Sequence, residues 1–205
     1  MTYSNLDQLI EQRKEEGLNL LEALVNIDSP SRDRRGVNAA GDVICQYLYK
    51  NGISYKVTEN RDKQYGDFII ATIPGQQKGK ILLMGHRDTV FPLGTSSERP
   101  FKIEGNHAYG PGVSDMKSGI VTSLLASIAL RESQINLCDI EILITPDEEI
   151  GSPTSRQVIE ERAKDAMAVF NLEPGRPDGS VATARRGSAH LNFKIEGKAA
   201  HSGTE

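Results

Sequence analysis

The amino-acid sequence predicts an α/β fold in which helices flank a mostly parallel central sheet. Three apolar runs, at residues 81–84, 140–145 and 166–172, have the length and continuous hydrophobicity of strands that are buried on both faces. One helical pattern precedes the second run, at 116–131, and another precedes the third, at 152–164. Because buried strands that alternate with helices are typical of parallel sheets, the order of these segments predicts the fold class.

The N-terminal part of the sequence predicts two helices followed by two strands. Residues 5–27 and 37–50 place apolar side chains at helical spacing, and Asn51-Gly52 ends the second pattern. Residues 55–58 and 67–73 have the pattern of strands. The sequence contains no internal repeat.

Local signals mark the boundaries of two of these helices. The segment Ser29-Pro30-Ser31 is expected to end the first helix. In the pattern at 152–164, Ser152 is the predicted N-cap and Pro153 is the predicted first helical residue. We therefore expect the last helix to begin directly after Ser152.

Length and composition are those of a globular protein. The 205 residues suit one domain, or one domain with a fragment of a second, and 38% of them are hydrophobic. The 24 basic and 28 acidic residues give a formal net charge of −4, which offers no electrostatic reason to bind nucleic acid or anionic membranes. Two cysteines are too few for a disulfide framework, and the polar N-terminus lacks the apolar segment of a signal peptide. We expect a soluble, cytoplasmic protein with no nucleic-acid partner.

The sequence also gives no sign of a membrane partner. A helix needs about 20 predominantly apolar residues to span a bilayer. The longest weakly apolar stretch is 120–130, where Thr122, Ser123 and Ser127 interrupt it. We therefore expect no membrane-spanning segment.

One histidine and several acidic residues follow the three apolar runs. In an open α/β sheet, ligands bind at the carboxyl ends of the strands, so residues placed there are expected to converge. These residues are His86, Asp88, Glu148, Glu149 and Glu173, and Asp115 joins them from the loop after Gly110-Pro111-Gly112. Five carboxylates around one imidazole would repel one another strongly. The pattern therefore predicts a divalent cation at this edge of the sheet.

Each of these residues taken alone also has an ordinary structural explanation. His86 would be a hydrogen-bonded histidine at a strand end, and Asp115 would be the N-cap of the following helix. The pair Glu148-Glu149 would be a solvated pair at the start of a helix, and Glu173 would be a loop carboxylate. Their joint occurrence at successive strand ends favours the metal site.

Five segments around these residues resemble a family of zinc-dependent exopeptidases and amidohydrolases. They are MGHRDTVFP (84–92), RPFKIEGNHAYGPGVSDMKSGI (99–120), TPDEEIGS (145–152), NLEPG (171–175) and AAHSG (199–203). The family includes glutamate carboxypeptidase, acetylornithine deacetylase, succinyl-diaminopimelate desuccinylase and aminoacylase, and the similarity favours the glutamate carboxypeptidase branch. The order and spacing of all five segments carry the resemblance, because any single one would be a weak signal.

The resemblance implies a zinc-exopeptidase-like fold and a site for two Zn²⁺ ions, with Co²⁺ or Mn²⁺ as alternatives. His86 and Glu173 resemble ligands of the first metal, and Glu149 resembles a ligand of the second. Asp115 resembles the carboxylate that bridges both metals.

Three further residues receive roles from the resemblance. Asp88 resembles the carboxylate that orients the histidine ligand. Glu148 resembles the general base, which takes a proton from the attacking water and passes it to the leaving amine. His201 resembles a substrate-binding histidine of a lid domain, which reaches a partner subunit's active site and stabilises the oxyanion.

The resemblance divides the chain into two parts. Residues 1–184 would be the N-terminal part of a catalytic metallohydrolase domain, and residues 185–205 would begin an α+β lid and dimerisation domain that is incomplete here. In the family, the chain returns to the catalytic sheet after the lid and supplies a last histidine ligand. None of His107, His190 and His201 is placed to replace that ligand. The chain is therefore expected to be C-terminally truncated, and poorly stable or prone to aggregation by itself.

The resemblance implies a dinuclear zinc peptidase or amidohydrolase that cleaves a peptide or N-acyl amide bond next to an amino acid. Its substrate would be a small peptide or an N-acyl amino acid, and the complete protein would be a homodimer. Two other classes remain open, namely a truncated, non-catalytic metal-binding remnant and an interaction module that associates with full-length relatives. Metal content separates these two classes from each other, and hydrolysis of an N-acyl amino acid separates the enzyme from both.

Overall fold

A computed structural model of the chain describes residues 4–135, 138–184, 187, 191–194, 196–197 and 203. The chain forms two compact units, Met1–Pro174 and Gly175–Glu205. The described residues of the second unit contain no helix or strand. Most of 185–205 lies outside the described residues, so the division into a catalytic domain and a lid stays a prediction.

The described residues form six helices and seven strands. The helices are α1 (Ser4–Gln12), α2 (Lys14–Val25), α3 (Arg34–Lys50), α4 (Thr95–Glu98), α5 (Ser118–Glu132) and α6 (Ser155–Ala163). The strands are β1 (Ser54–Thr58), β2 (Phe68–Ile73), β3 (Lys80–His86), β4 (Lys102–Glu104), β5 (His107–Tyr109), β6 (Asp139–Thr145) and β7 (Ala168–Asn171). An irregular turn, Val113–Lys117, leads into α5, and a short 3₁₀ turn, Glu148–Ile150, follows β6.

Five of these strands form the central sheet in the order β1-β2-β6-β3-β7. The three strands β6, β3 and β7 are parallel, whereas β1 and β2 are antiparallel to their neighbours. The registers pair His86 with Thr145 and Met84 with Asn171, so the carboxyl ends of the three parallel strands lie at one edge. This arrangement confirms the predicted fold class. The hairpin of β4 and β5, which the sequence patterns did not reveal, stands apart from this sheet.

The two faces of the sheet are buried to different extents. On one face, the helices α2, α3 and α5 pack over Ile140, Ile142 and Ile144 of β6 in the larger core cluster. On the other face, Leu143 packs with Ile70, Leu82 and side chains of α6 in a smaller cluster. Since successive side chains of a strand point to opposite faces, β6 contributes to both cores. Its one charged residue within 140–145, Glu141, pairs with Lys80 and Arg162.

The third apolar run departs from the prediction. It was expected to form a strand buried on both faces, but β7 is an edge strand of the described sheet. Val169 and Phe170 are 43% and 51% exposed. Apolar continuity indicates a strand, but burial depends on which elements the tertiary fold brings to each face.

The first predicted helix, 5–27, is divided into α1 and α2 at Arg13. The guanidinium of Arg13 donates to Glu16 and Asn51 and forms an ion pair with Glu132 of α5. These contacts connect the break between α1 and α2 to the end of α3 and to α5. Helical periodicity in the sequence does not report such long-range contacts.

The last helix begins two residues later than predicted, at Ser155 rather than Pro153. Ser152 has a φ of 54° and is not an N-cap, and α6 begins at Ser155. The buried carboxylate of Asp147 holds the segment that leads into α6. It accepts hydrogen bonds from the backbone N–H and hydroxyl of Thr154 and from the hydroxyl of Ser155.

One described stretch, Val113–Glu132, is long and apolar enough by length and composition to cross a membrane. In the sequence, three hydroxyl residues interrupt the apolar character of residues 120–130 within this stretch. In the structure, the hydroxyls of Thr122 and Ser123 donate to backbone carbonyls of the same helix, which masks their polarity. Half of the stretch is buried within this fold, where Leu124 and Ile128 pack in the larger core.

Asp147 gives a test of how the end of β6 is joined to α6. We expect D147A to lower the free energy of unfolding by about 2–3 kcal/mol, because two donors of the half-buried Thr154 and the buried hydroxyl of Ser155 lose their acceptor. Urea unfolding followed by circular dichroism measures the change. The matched control is D165A, an exposed position after α6, which should stay within about 0.5 kcal/mol of the parent. Equal effects of the two substitutions would contradict the role of Asp147.

Candidate metal centre

Side chains from four segments meet at the carboxyl edge of the parallel strands. His86 is the last residue of β3, and Asp115 lies in the irregular turn before α5. Glu148 and Glu149 lie in the 3₁₀ turn after β6, and Glu173 follows β7. The structure thus brings together the residues that the sequence predicted to converge.

His86 lies at the centre of this cluster and is 1% exposed. Its Nε2 atom lies 3.2 Å from Asp115 Oδ1, 3.4 Å from Glu173 Oε1 and 3.7 Å from Glu148 Oε2. Its Nδ1 atom lies 3.0 Å from the backbone carbonyl oxygen of Asp88 and 3.3 Å from Asp88 Oδ1. The Nε2 atom therefore faces the carboxylates of the cluster, and the Nδ1 atom is held by Asp88.

Two overlapping groups of side chains could each hold a metal ion. His86, Asp115 and Glu149 form one group, and His86, Glu148 and Glu173 form the other. Within each group the ligand atoms lie within 4.8 Å of one another. An imidazole nitrogen with carboxylate oxygens is a donor set that divalent transition metals accept, so the residues fit such an ion. The individual ligand roles that the resemblance implies stay predictions, since both groups share His86.

The carboxylate of Asp88 is completely buried behind His86. Its Oδ1 atom accepts the backbone N–H of Glu148 at 3.1 Å, and its Oδ2 atom accepts that of Glu149 at 3.2 Å. The hydroxyl of Ser31 donates to Oδ2 at 2.6 Å. Burial by itself would raise the pKa of Asp88, but the hydrogen bonds from His86 and Ser31 hold this pKa below its usual range. Asp88 therefore stays an anion that contacts the histidine and the backbone of both glutamates.

The cluster carries more negative charge than His86 can balance. Burial, the largest single influence, lowers the pKa of His86, but hydrogen bonds to Asp88 and Glu173 outweigh it and raise the pKa to about 11. Burial and the neighbouring carboxylates raise the pKa of Glu149 to about 7. The pKa values of Asp115 and Glu148 are raised for the same reasons. Since Asp115, Glu148 and Glu149 resist ionisation, a bound cation would stabilise the ionised form of the cluster.

The turn that carries Asp115 is held by a glycine and a buried lysine. Gly112 has a φ of 71°, and a Cβ there would lie 2.6 Å from the Thr89 side chain, so the position requires glycine. The Nζ atom of Lys117 donates to the carbonyl oxygens of Leu24 and Ile27 at 2.9 Å each. Burial lowers the pKa of Lys117 to about 8. These contacts anchor the turn to the end of α2.

Three positions that support the site were missed by the sequence analysis. Ser31 holds Asp88, and the Sδ atom of Met116, which is fully buried, accepts the backbone N–H of His86 at 3.1 Å. Gly119 lets α5 approach the end of β7, since a Cβ there would lie 2.1 Å from the Leu172 carbonyl oxygen. Ser31 and Gly119 lie in regions where the sequence shows only a loop or a helix, so no local signal could identify them.

The remaining predicted site residue, His201, lies outside the described residues, as does His190. His107 is exposed in β5. The described part of the metal centre is thus formed by the end of β3, the segments that follow β6 and β7, and the turn that precedes α5.

Comparison with known proteins identifies related sequences. The sequence profile of the peptidase family M20/M25/M40 matches residues 82–201. Carboxypeptidase G2 from Pseudomonas sp. (strain RS-16) is 36% identical over 185 residues, which are 89% of this chain and 45% of that protein. A succinyl-diaminopimelate desuccinylase from Ehrlichia canis is 31% identical over 171 residues, which are 77% of this chain and 44% of that protein. The chain spans less than half the length of these curated relatives.

The fold also matches solved structures. An M20 family metallo-carboxypeptidase from Sulfolobus solfataricus superposes with a TM-score of 0.67 at 24% identity. The match covers 80% of this chain and 39% of that one. It shows that helices around a mostly parallel sheet are shared with that enzyme.

The raised pKa of His86 predicts that a divalent metal displaces a proton. Since a proton must leave a group whose pKa is about 11, affinity should fall by about tenfold for each pH unit below that value. Protonation of Glu149 below pH 7 should weaken binding further. Titration calorimetry with Zn²⁺ at pH 8 and pH 6.5, in buffers of different ionisation enthalpy, measures both affinity and proton release. The control H107Q should behave like the parent, and an affinity independent of pH would contradict the prediction.

Gly119 predicts a steric test of the position of Glu173. In G119A the new methyl group must displace the Leu172 carbonyl, so we expect about 1–3 kcal/mol of lost stability and weaker Zn²⁺ binding. Chemical unfolding and calorimetry measure the two effects. The control G187A places a methyl group in open space and should change neither. Unchanged metal binding in G119A would show that the close approach of α5 to β7 does not position Glu173.

Proposed function

The chain belongs to the peptidase family M20/M25/M40, and from this premise we propose that it carries the metal centre of a dinuclear zinc hydrolase. The proposed reaction is cleavage of a peptide or N-acyl amide bond next to an amino acid, as in glutamate carboxypeptidases. The observation that carries the proposal is the convergence of His86 with carboxylates from three other segments at one sheet edge.

The donor set supports a divalent metal, and we propose Zn²⁺ with Co²⁺ or Mn²⁺ as alternatives. Following the family resemblance, His86, Asp115 and Glu173 would hold the first ion, and Asp115 and Glu149 would hold the second. When bound, two such ions lower the pKa of a water and polarise an amide carbonyl. Asp88 would keep the Nε2 atom of His86 directed at the site through its contacts at Nδ1.

Glu148 is the proposed general base. Its side chain is half exposed, and its carboxylate lies 3.7 Å from the Nε2 atom of His86, so a water or substrate in the cluster is within its reach. Burial and neighbouring carboxylates raise its pKa, which makes it a better proton acceptor than an ordinary glutamate. Its backbone N–H is bonded to Asp88, which fixes the start of its side chain. It would take the proton of the attacking water and pass it to the leaving amine.

The substrate class is proposed from the relatives. The chain is 36% identical to a carboxypeptidase and 31% identical to a succinyl-diaminopimelate desuccinylase, which favours small peptides or N-acyl amino acids as substrates. Peptide cleavage is the preferred proposal, because the carboxypeptidase has the higher identity. On the resemblance alone, we propose that the complete protein is a cytoplasmic homodimer in which residues 185–205 open the lid. His201 would then bind substrate in the partner subunit.

Two substitutions test the proposal on the 205-residue chain. We expect E148Q to keep bound Zn²⁺ and to lose hydrolysis by about 10²–10⁴-fold, because the metal site stays while the base is removed. We expect H86A to lose Zn²⁺, which plasma mass spectrometry after gel filtration measures. Hydrolysis is followed with a dipeptide that ends in glutamate and with an N-acetyl amino acid.

The matched control is E161Q, an exposed position of α6, which should keep both metal and hydrolysis. Full activity in E148Q would remove Glu148 as the base. Zinc without hydrolysis in the parent chain would leave the non-catalytic metal-binding class, and a parent chain that binds no zinc would favour the interaction module.

A further inference from the structure

The loop between α2 and α3 lies directly beside the segment that follows β3. The backbone N–H of Thr89 donates to the carbonyl oxygen of Ser29 at 2.9 Å, and Pro30 forms a parallel bridge with Thr89. The hydroxyl of Ser29 donates to the carbonyl oxygen of Arg87 at 2.8 Å. The backbone pairing of Ser29 and Pro30 with Thr89 places Ser31 opposite Asp88.

Ser31 completes the hydrogen bonding of a buried carboxylate. Its hydroxyl donates to Asp88 Oδ2 at 2.6 Å, and both residues are buried. The backbone N–H of Glu149 is the other donor to Oδ2, while His86 and the N–H of Glu148 face Oδ1. Without the hydroxyl, one of the two oxygens would keep a single donor.

We infer that Ser31 is a positioning residue of the metal centre, which acts through Asp88 on His86 and on the turn that carries Glu148. The inference rests on the proposed function, because it assumes that the cluster binds metal. Ser31 contacts Asp88, which is not one of the predicted ligands. Its hydroxyl fixes the rotation of the Asp88 carboxylate, and that rotation sets the plane of the imidazole.

The strength of this contact supports a positioning role. A hydrogen bond from a hydroxyl to a carboxylate is roughly twice as strong as one between neutral groups, and it is stronger still away from water. Partners that orient metal ligands from behind typically change metal affinity by about 10- to 100-fold when they are removed. Ser31 provides such a contact without adding charge to a cluster that is already negative.

The test compares S31A with S29A. Both substitutions remove one buried hydroxyl from the same loop, but only Ser31 bonds to the Asp88 carboxylate, since Ser29 bonds to a backbone carbonyl. In chelator competition, we expect S31A to bind Zn²⁺ about 10- to 100-fold more weakly than the parent chain and S29A to bind as tightly as the parent. Parental affinity in S31A, or equal losses in both variants, would overturn the inference.

A second readout does not depend on metal. In the zinc-free chain labelled with ¹⁵N, the Nδ1–H resonance of His86, assigned by its loss in H86N, should shift in S31A and stay unchanged in S29A. An unshifted resonance in S31A would overturn the inference. Failure of the parent chain to bind zinc would contradict the proposed function while this comparison remained informative.

A third variant covers the case in which S31A does not fold. S31T keeps the hydroxyl and should retain parental zinc affinity and the parental His86 resonance. Loss of either property in a folded S31T would overturn the inference.

Discussion

The site depends on one buried anion, the carboxylate of Asp88. An unpaired charge in the interior of a protein is costly, so this group must be surrounded by donors. Its donors come from three separate segments: the Ser31 loop, the end of β3 at His86, and the turn at Glu148 and Glu149. The hydrogen bonds that this one carboxylate needs therefore hold together segments that lie 57–61 residues from Asp88 in the sequence.

The sheet topology supplies the second constraint. Because β6, β3 and β7 are parallel, residues that follow each strand emerge at the same edge. Close packing then brings Asp115 and Glu173 toward His86. The sulfur of Met116 lies against the His86 backbone, and the missing side chain of Gly119 lets α5 approach Leu172. The position of each carboxylate thus depends on packing between elements and not on its own segment.

Charge links this geometry to chemistry. The described cluster holds one imidazole among several carboxylates. Burial and neighbouring carboxylates raise the pKa values of Asp115, Glu148 and Glu149, whereas hydrogen bonds keep Asp88 ionised. Without a cation, the carboxylates of this site repel one another. A cation with more than one positive charge relieves that repulsion. Membership of the peptidase family M20/M25/M40 agrees with this reading. The side chain of Glu148 is half exposed, and its backbone N–H is held by Asp88. A fixed carboxylate that solvent can reach is suited to proton transfer.

The sequence by itself determined the five strands of the central sheet, the fold class and the residues that meet at the sheet edge, because apolar runs and the polar residues after them are local patterns. Only the tertiary structure decided the break at Arg13, the start of α6 and the exposure of β7, since each depends on contacts between distant segments. It also decided that Ser31 contacts Asp88. A serine in a loop has many uses, and only the folded chain shows which buried acceptor its hydroxyl reaches.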